Sequence, residues 1–568
     1  MSDNMRFSPR TNRAHEIQWR AWGAPAFAEA VAANKPVLLN LTAVWCHWCH
    51  LMDETTYSDP DLITLINSQL IPVRVDADKH PHVQDRYIAG GWPTNAFLTP
   101  TGEVLWSGTY VPEDQFRTVA DSVLSAWRDR HAELQLEIER RRKALEAARG
   151  RHHVMGLVRR EAADDVLAAT IDSYDSRNGG FGTEPKFAYV DAVELLYTQA
   201  HRGDKDLLRM ADHTLDGMVA GELRDADGGF FRYAIKEDWT EPRREKLLAM
   251  NAGMLRIYAL GAQLRDRADW RGVAEGLVDW ANRHLRRADG LWAGSQPIDA
   301  GMVDDVLYTS YNALWIGALA DAGARLGYDE WITDAARAFQ QLLTTTRADN
   351  GLLVHYRLAD GSTNDACLLV DVVEVCRACI SLAQATGDNA YLEQARAFIA
   401  AAEKLLWAED GGFWDHAHSK ADVAALRYRD KPFDANAEFA RVLNDMAVLT
   451  GDRSLRALTE RILALLSPQA GRYGMGAAEY ALAADEFFEA PPRIIVVGNG
   501  ADAAELRRTA LRMKVPQRRV LTLPEGGRIA QFNFPLATQP VAYVVSAHGA
   551  SSAIPAPAML QEALAVNK

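Results

Sequence analysis

Two cysteines and two histidines fall within five positions, Cys46, His47, Cys49 and His50, with Trp45 before them and Trp48 between. Only three other cysteines occur in 568 residues, Cys367, Cys376 and Cys379, so disulfides do not hold this fold together. The CxxC is either a site of chemistry or a packing coincidence. Four readings fit the residue types. A dithiol of this spacing can cycle with a disulfide, and thiolates with imidazoles can hold a metal. CxxCH is also the attachment pattern of c-type haem. Lastly, two core thiols with His47 and Trp48 packed around them would do no chemistry. Haem requires an exported apoprotein and a second axial ligand. A metal site suffers because adjacent Cys-His pairs on one helical turn diverge, and no second pair follows at zinc-finger spacing. The redox dithiol leads, with Cys46 and Cys49 as its reactive residues and with no metal or cofactor expected.

The surrounding elements must place that dithiol. Val37 to Leu41 is a short apolar run typical of a buried parallel strand, and HLMDETTYSDPDLITLINSQL after the cysteines has helical spacing. Cys46 then sits at a strand-to-helix junction, where the helix dipole and free N–H groups favour a thiolate. A second apolar strand is predicted in LIPVRVDAD (70–78). GGWPTNAFLTPTGEVLWSGTY (90–110) predicts a proline-initiated strand, a turn at 100–102 and a hairpin partner.

The order lysine-proline, apolar strand, tryptophan, CxxC, helix, strand and proline-threonine resembles thioredoxin, here through Lys35, Pro36, Trp45, Cys46, Cys49, Pro93 and Thr94. The resemblance implies a cis Trp92–Pro93 bond facing the dithiol, and makes Trp45, His47, Trp48, His50, Trp92 and Pro93 neighbours of the redox site. Thioredoxins carry a buried aspartate six residues before the first cysteine; here that residue is Asn40. An amide cannot take the proton of the second cysteine, so disulfide reduction is disfavoured. His47 between the cysteines would further stabilise a Cys46 thiolate.

The chain is 48% hydrophobic and 24% charged, with net charge -14. That composition is globular, too long for one core, and lacks the basic field that nucleic acid or an anionic membrane requires. No apolar run approaches the roughly 20 residues of a membrane span, and the polar N-terminus lacks a signal peptide's apolar middle. A cytoplasmic protein is expected, with no nucleic-acid and no membrane partner.

Beyond the N-terminal region (1–120) and a long exposed linking helix (121–159), a glycine signature recurs: NGGFG at 178, DGGFF at 227, DGLW at 289, NGLLV at 350, DGGFW at 410 and AGRYG at 470. A shorter turn alternates with it at 202, 265, 327, 386 and 450. Units of about 60 residues that cannot bury their own apolar faces must stack. Six such helix pairs over 160–490 predict an all-α (α/α)6 toroid, its functional mouth at the end carrying the longer glycine loops. Those loops carry polar and aromatic candidates for a sugar pocket: Lys186, Trp239, Glu245, Lys246, Asp304, Asp305, Asn312, Asp371, Asp415 and Asn436. A small α/β appendage (491–568) ends the chain. Its GNG lacks the third glycine and βαβ setting of a dinucleotide fingerprint and reads as a tight turn.

CHWCH followed by GGWP and GTYVP, together with the hairpins, resembles the family named after spermatogenesis-associated proteins, which joins a thioredoxin-like domain of unknown function to a six-hairpin glycosidase-like domain. This chain departs from the family pattern at SPRTNRAHEIQW (8–19), at PRREKLLAMN (242–251) and at Val306, where the family has lysine after paired aspartates. Two functions are implied. One is a thiol-disulfide oxidoreductase acting on a small-molecule or protein disulfide, coupled to the glycosidase-like toroid. The other is a carbohydrate-binding or carbohydrate-modifying toroid with a regulatory or structural thioredoxin-like domain.

Overall fold

The computed structural model describes residues 5–151, 156–296, 304, 306–364, 367–529, 532–533, 539–546 and 549–566. They form two compact units. One comprises Met1–Val154, Ser295–Asp304 and His416–Asp430; the other comprises Met155–Gly294, Asp305–Asp415 and Lys431–Lys568.

The first unit is thioredoxin-like. Helix α1 (Ala24–Ala33) precedes strand β1 (Val37–Thr42), followed by α2 (His47–Glu54), α3 (Pro60–Gln69), β2 (Ile71–Asp76), α4 (Pro81–Tyr87), β3 (Thr94–Leu98) and β4 (Val104–Gly108). The sheet order is β2-β1-β3-β4, with β1 parallel to β2 and antiparallel to β3. All six β1 residues are buried, as expected of a central strand covered on both faces. On one face Leu39, Leu41 and Val73 pack with Phe27, Tyr87, Val423 and Leu426. On the other, Leu38 and Phe97 pack with Met52, Tyr57, Ile66 and Phe116. Burial of each large apolar side chain contributes about 1.5–3 kcal/mol. The linking helix expected over 121–159 is two helices, α5 (Glu113–Asp129) and α6 (His131–Arg151). Phe116, Ala120 and Trp127 of α5 are buried, and Trp127 Nε1 donates to Asn34 O at 3.1 Å, so α5 belongs to the domain core.

The second unit is a closed ring of helix pairs. Its helices are α7 (Arg160–Asp172), α8 (Val190–Ala200), α9 (Lys205–Ala220), α10 (Leu248–Arg265), α11 (Ala268–His284), α12 (Thr309–Leu326), α13 (Asp329–Thr346), α14 (Leu369–Thr386), α15 (Ala390–Leu406), α16 (Phe433–Thr450), α17 (Arg453–Tyr473) and α18 (Ala478–Phe488). Helices α8, α10, α12, α14, α16 and α18 each pack on the next, and α18 packs back on α8. This inner ring is buried on nearly every side, whereas outer helices such as α9 and α13 bury one stripe, the pattern of an amphipathic helix lying over a core. Inner helices α12, α14 and α16 end on Gly327, Gly387 and Gly451 at φ 86°, 78° and 74°, where the left-handed cap needs glycine. The glycine signatures follow the outer helices α7, α9, α11, α13 and α15, so their loops lead into the inner ring. AGRYG breaks the pattern: residues 470–473 are the last turn of α17, and the ring closes there with a short turn.

The C-terminal segment adds a sheet in the order Arg519–Leu523, Arg493–Val497, Val541–Ser546, Gly549–Ala550, with helices α19 (Gly500–Leu511) and α20 (Pro557–Val566). Arg493–Val497 and Arg519–Leu523 are parallel and joined by α19. GNG therefore does sit in a βαβ unit, contrary to expectation. Its tight turn is as expected, with Gly498 at φ 126° and Gly500 at φ 83°.

Candidate functional site

Cys46 is the N-cap of α2, and its Sγ accepts from Cys49 N–H at 3.1 Å. Cys46 and Cys49 are joined as a disulfide. Only 4% and 2% of their surfaces are exposed, so accessibility barely distinguishes them. The distinction lies in the hydrogen bond: charge on Cys46 Sγ faces the free end of a helix, where a thiolate is stabilised. Trp45 is buried, donates from Nε1 to Asp78 Oδ2 at 2.7 Å and meets Trp92 edge-on at 5.4 Å. Trp92 Nε1 donates to Gln84 Oε1 at 3.1 Å. The Trp92–Pro93 bond is cis, as the thioredoxin resemblance implies. Trp48 is the exposed member, tilted on Tyr110 at 5.3 Å and edge-on to His47 at 5.7 Å. His50 is buried and lines a small crevice with Phe7, Thr42, Val44, Arg74, Asp76 and Lys79.

Asn40 belongs to a buried polar network. Its Oδ1 accepts from Arg74 Nη1 at 3.1 Å and its Nδ2 donates to Asn95 Oδ1 at 3.0 Å. Arg74 makes a two-point contact with Asp53 of α2 at 2.8 and 2.9 Å, and Ser8 N–H donates to Asp53 at 3.0 Å. The buried acid on the dithiol helix is thus committed to Arg74 and is no substitute for the missing base. Cys367, Cys376 and Cys379 are buried, and burial raises each thiol's pKa, that of Cys367 to about 12.

In the ring, several of the loop candidates are held by hydrogen bonds within the fold. Asn312 Oδ1 accepts from Trp292 N–H at 2.9 Å while its Nδ2 donates to Trp292 O and Tyr308 O at 2.9 and 3.0 Å. Asn436 holds Phe413 in the same way, and Asn251 holds Phe230. Each amide clamps the aromatic of a glycine signature to the start of the next inner helix. The lysines repeat as well. Lys246 Nζ bonds Asp225 and Asp227 at 2.6 Å and Lys431 Nζ bonds Asp410 at 2.5 Å, while Lys186 bonds Asp175. Each lies over an aromatic face, Lys186 over buried Trp239 at 5.0 Å. Glu245 is buried, and its backbone carbonyl accepts from Arg232 N–H at 2.8 Å. Asp415 is buried, with its carbonyl accepting from Leu369 N–H at 2.9 Å. Asp304 belongs to the first unit and pairs with Arg6 at 3.6 Å. Asp305 lies outside the described residues. Asp371 receives His355 Nδ1 at 2.9 Å and Ser310 N–H at 3.1 Å, a buried His–Asp pair whose histidine the sequence reading missed.

A larger set was also missed, because it lies on the inner helices. Asp191 and Glu194 of α8, Arg256 of α10, Glu374 and Arg377 of α14, Asp434, Glu438 and Arg441 of α16, and Glu479 and Glu486 of α18 form one charge cluster inside the ring. Arg441 touches Glu194, Glu479 (3.3 Å) and Glu486 (3.0 Å). Arg256 reaches Asp191, Glu194 (3.5 Å) and Glu479 (3.7 Å), and Arg377 reaches Glu479 at 3.5 Å. Asp191, Asp434 and Glu479 lie in the first turns of their helices, where the dipole favours an anion.

Protonation within the cluster is divided. Burial raises Asp191 to about 6, helped by Glu479. Burial also raises Glu438, Glu374 and Asp434, helped by neighbouring carboxylates. Burial acts on Glu194 and Glu479 in the same direction but is outweighed by the arginines, which hold both below the usual carboxylate range. The signal was present in the sequence as acids and arginines inside otherwise apolar helices such as VVEVCRACI and FDANAEFARVL.

Among the described residues no cluster of three or more metal-ligating side chains occurs, and no helix is long and apolar enough to cross a membrane. The family model Thioredox_DsbH, a protein of unknown function (DUF255), matches residues 8–146. Spermatogenesis-associated protein 20 of Rattus norvegicus is 30% identical over 316 residues, covering 50% of this chain and 39% of that protein. An uncharacterized protein of Caenorhabditis elegans is 30% identical over 273 residues, covering 44% and 37%. The match thus spans less than half the length of these relatives. Among solved structures, a sugar epimerase from a ruminal bacterium has a TM-score of 0.47 at 12% identity, over 54% of this chain and 84% of that one. D-mannose isomerase has 0.47 at 13%, over 57% and 96%. An unsaturated glucuronyl hydrolase specific for heparin has 0.46 at 13%, over 58% and 96%.

Proposed function

We propose that the chain is a thiol-disulfide oxidoreductase whose working residues are Cys46 and Cys49. The observation that carries this reading is the Cys46–Cys49 disulfide with Cys46 Sγ capping the N-terminus of α2. A substrate thiolate attacks Cys46 Sγ and breaks the Cys46–Cys49 bond, and Cys49 leaves as a thiolate that takes a proton from water. A second substrate thiolate then attacks the substrate sulfur of the mixed disulfide and expels Cys46 as a thiolate. Two electrons pass from substrate dithiol to protein, and the substrate departs as a disulfide. The helix N-terminus makes Cys46 a good leaving group. Asn40 supplies no carboxylate to deprotonate Cys49, which favours oxidation over reduction.

The test is a trapping experiment on the full-length chain. Reduced Cys49→Ser protein should form a stable mixed disulfide with a small peptide disulfide, and Cys46→Ser should not. Equal trapping by both variants, or none by either, would overturn the assignment.

The divided protonation of the ring carboxylates supports a second reading, a proton-transferring or binding site for a small polar molecule of the carbohydrate class. Burial pushes Glu438 and Glu374 toward the protonated form while the arginines hold Glu194 and Glu479 toward the ionised one, the pairing an acid and a base require. A panel of mono- and disaccharides should raise the melting temperature of the wild-type chain and not that of Glu438→Gln. An unchanged melting temperature across the panel would remove this reading and leave the first intact.

A further inference from the structure

A cavity of about 120 Å³ opens inside the ring toward the ends of α12 and α14, away from the glycine loops. It has room for a small molecule rather than a single water. The C-terminal segment forms its far wall: Arg325 Nη2 donates to Pro516 O at 3.2 Å, Val520 N–H donates to Gln384 Oε1 at 2.9 Å, and Gln263 Nε2 donates to Leu511 O at 2.9 Å. Arg518 and Gln517 of that segment line the cavity, with 5% and 8% of their surface exposed.

Their polar atoms are not satisfied by the fold. Among the described residues, Arg518 Nε and Nη1 and Gln517 Nε2 have no acceptor, nor does Nη2 of Arg377, which lines the same cavity. Among the described residues Arg518 touches one carboxylate, Asp321 at 3.3 Å, and Arg325 shares that group through its own bond at 2.6 Å. Two guanidinium groups therefore divide one counter-charge. An uncompensated buried cation is costly, and an anion supplied from outside removes the cost.

We propose that this cavity is a binding site for a small anion of the phosphate or carboxylate class, with Arg518 as its principal donor and Gln517 and Arg377 completing the set. Guanidinium groups match the oxygens of both anions. Burial, and then the Arg325 charge, lower Arg518 to about 9, consistent with a cation short of partners. The cavity borders the ring's charge cluster, since Glu194, Arg256 and Arg441 also line it, but its proposed donors Arg518 and Gln517 come from the C-terminal segment.

The experiment is calorimetric titration of the full-length chain with inorganic phosphate, and separately with succinate, at constant ionic strength against chloride. Binding of at least one of the two is expected, at one site per chain, with Arg518→Gln weakening it at least tenfold and Gln517→Leu several-fold. Competition between phosphate and succinate shows which anion the cavity prefers. Arg518→Gln removes a poorly compensated buried charge and should not lower the melting temperature of the anion-free chain; should it fail to fold, Gln517→Leu carries the test. Absence of binding by both anions, or full affinity retained in these variants, would overturn the proposal.

Discussion

Around the dithiol, the property that matters is imposed by one stretch of backbone. Cys46 sits at the start of α2 and accepts a main-chain N–H, while the nearby polar side chains Asn40, Asp53, Arg74 and Asn95 bond to one another. Inside the ring the reverse holds. Five helices contribute side chains whose protonation is set by burial and by one another's charge. A site of the first kind tolerates change in the side chains around it, because a helix end keeps its dipole. A site of the second kind does not, since removing one charge shifts all the others.

The largest effect that would sharpen this contrast is expected at Arg441. Replacing it by Met leaves Glu194, Glu479 and Glu486 without the cation they share. Loss of one partner from a buried ionic set costs about 3–5 kcal/mol, readable as a lower urea midpoint, while alkylation of the reduced dithiol stays unchanged. A loss below about 1 kcal/mol would mean the cluster is not the mutually held unit described.

Next comes the pH response of Glu486, whose carboxyl is raised to about 7, first by burial. An unfolded chain titrates this group near ~4.3, so the native state holds the proton more tightly. Its contribution to stability is complete below that lower value and is lost as pH rises through about 7. The loss amounts to at most about 4 kcal/mol. Glu486→Gln should flatten the stability profile between those limits by that share; an unchanged slope would show that the group does not titrate there.

A smaller effect separates scaffold from site. Asn312→Ala exposes no charge but leaves the buried Trp292 N–H and C=O without their amide partner, at a cost on the order of 2 kcal/mol. Chemical denaturation should show this loss with both the dithiol and the ring carboxylates titrating as before. A change in either titration would place Asn312 in a functional role after all.

These differences track what a linear sequence can display. CHWCH, the apolar run before it and GGWP lie within about 60 residues, so the strand and the helix start could be read from adjacent positions, and the cis bond was implied by the thioredoxin resemblance those residues carry. The ring was legible from the spacing of the glycine signatures, because a turn that needs left-handed glycine leaves the same mark each time. AGRYG matched in composition but lies within α17, where no such turn is made. Polar residues ahead of each inner helix looked like ligands because loops usually carry function. Asn312, Asn436, Lys186 and Lys246 instead pay the hydrogen-bonding and charge costs of those loops. The carboxylate cluster was obscured because Asp191 and Glu479 are 288 positions apart and meet only once the ring closes.

The central claim is that the end of α2 stabilises Cys46 as a thiolate, and the rate of alkylation against pH tests it most directly. Measured on reduced full-length Cys49→Ser protein, the rate at Cys46 should rise with a midpoint well below the free-thiol value of about 8.5. A midpoint at or above that value would mean that the helix end confers no acidity on Cys46, and the oxidoreductase assignment would fall with it.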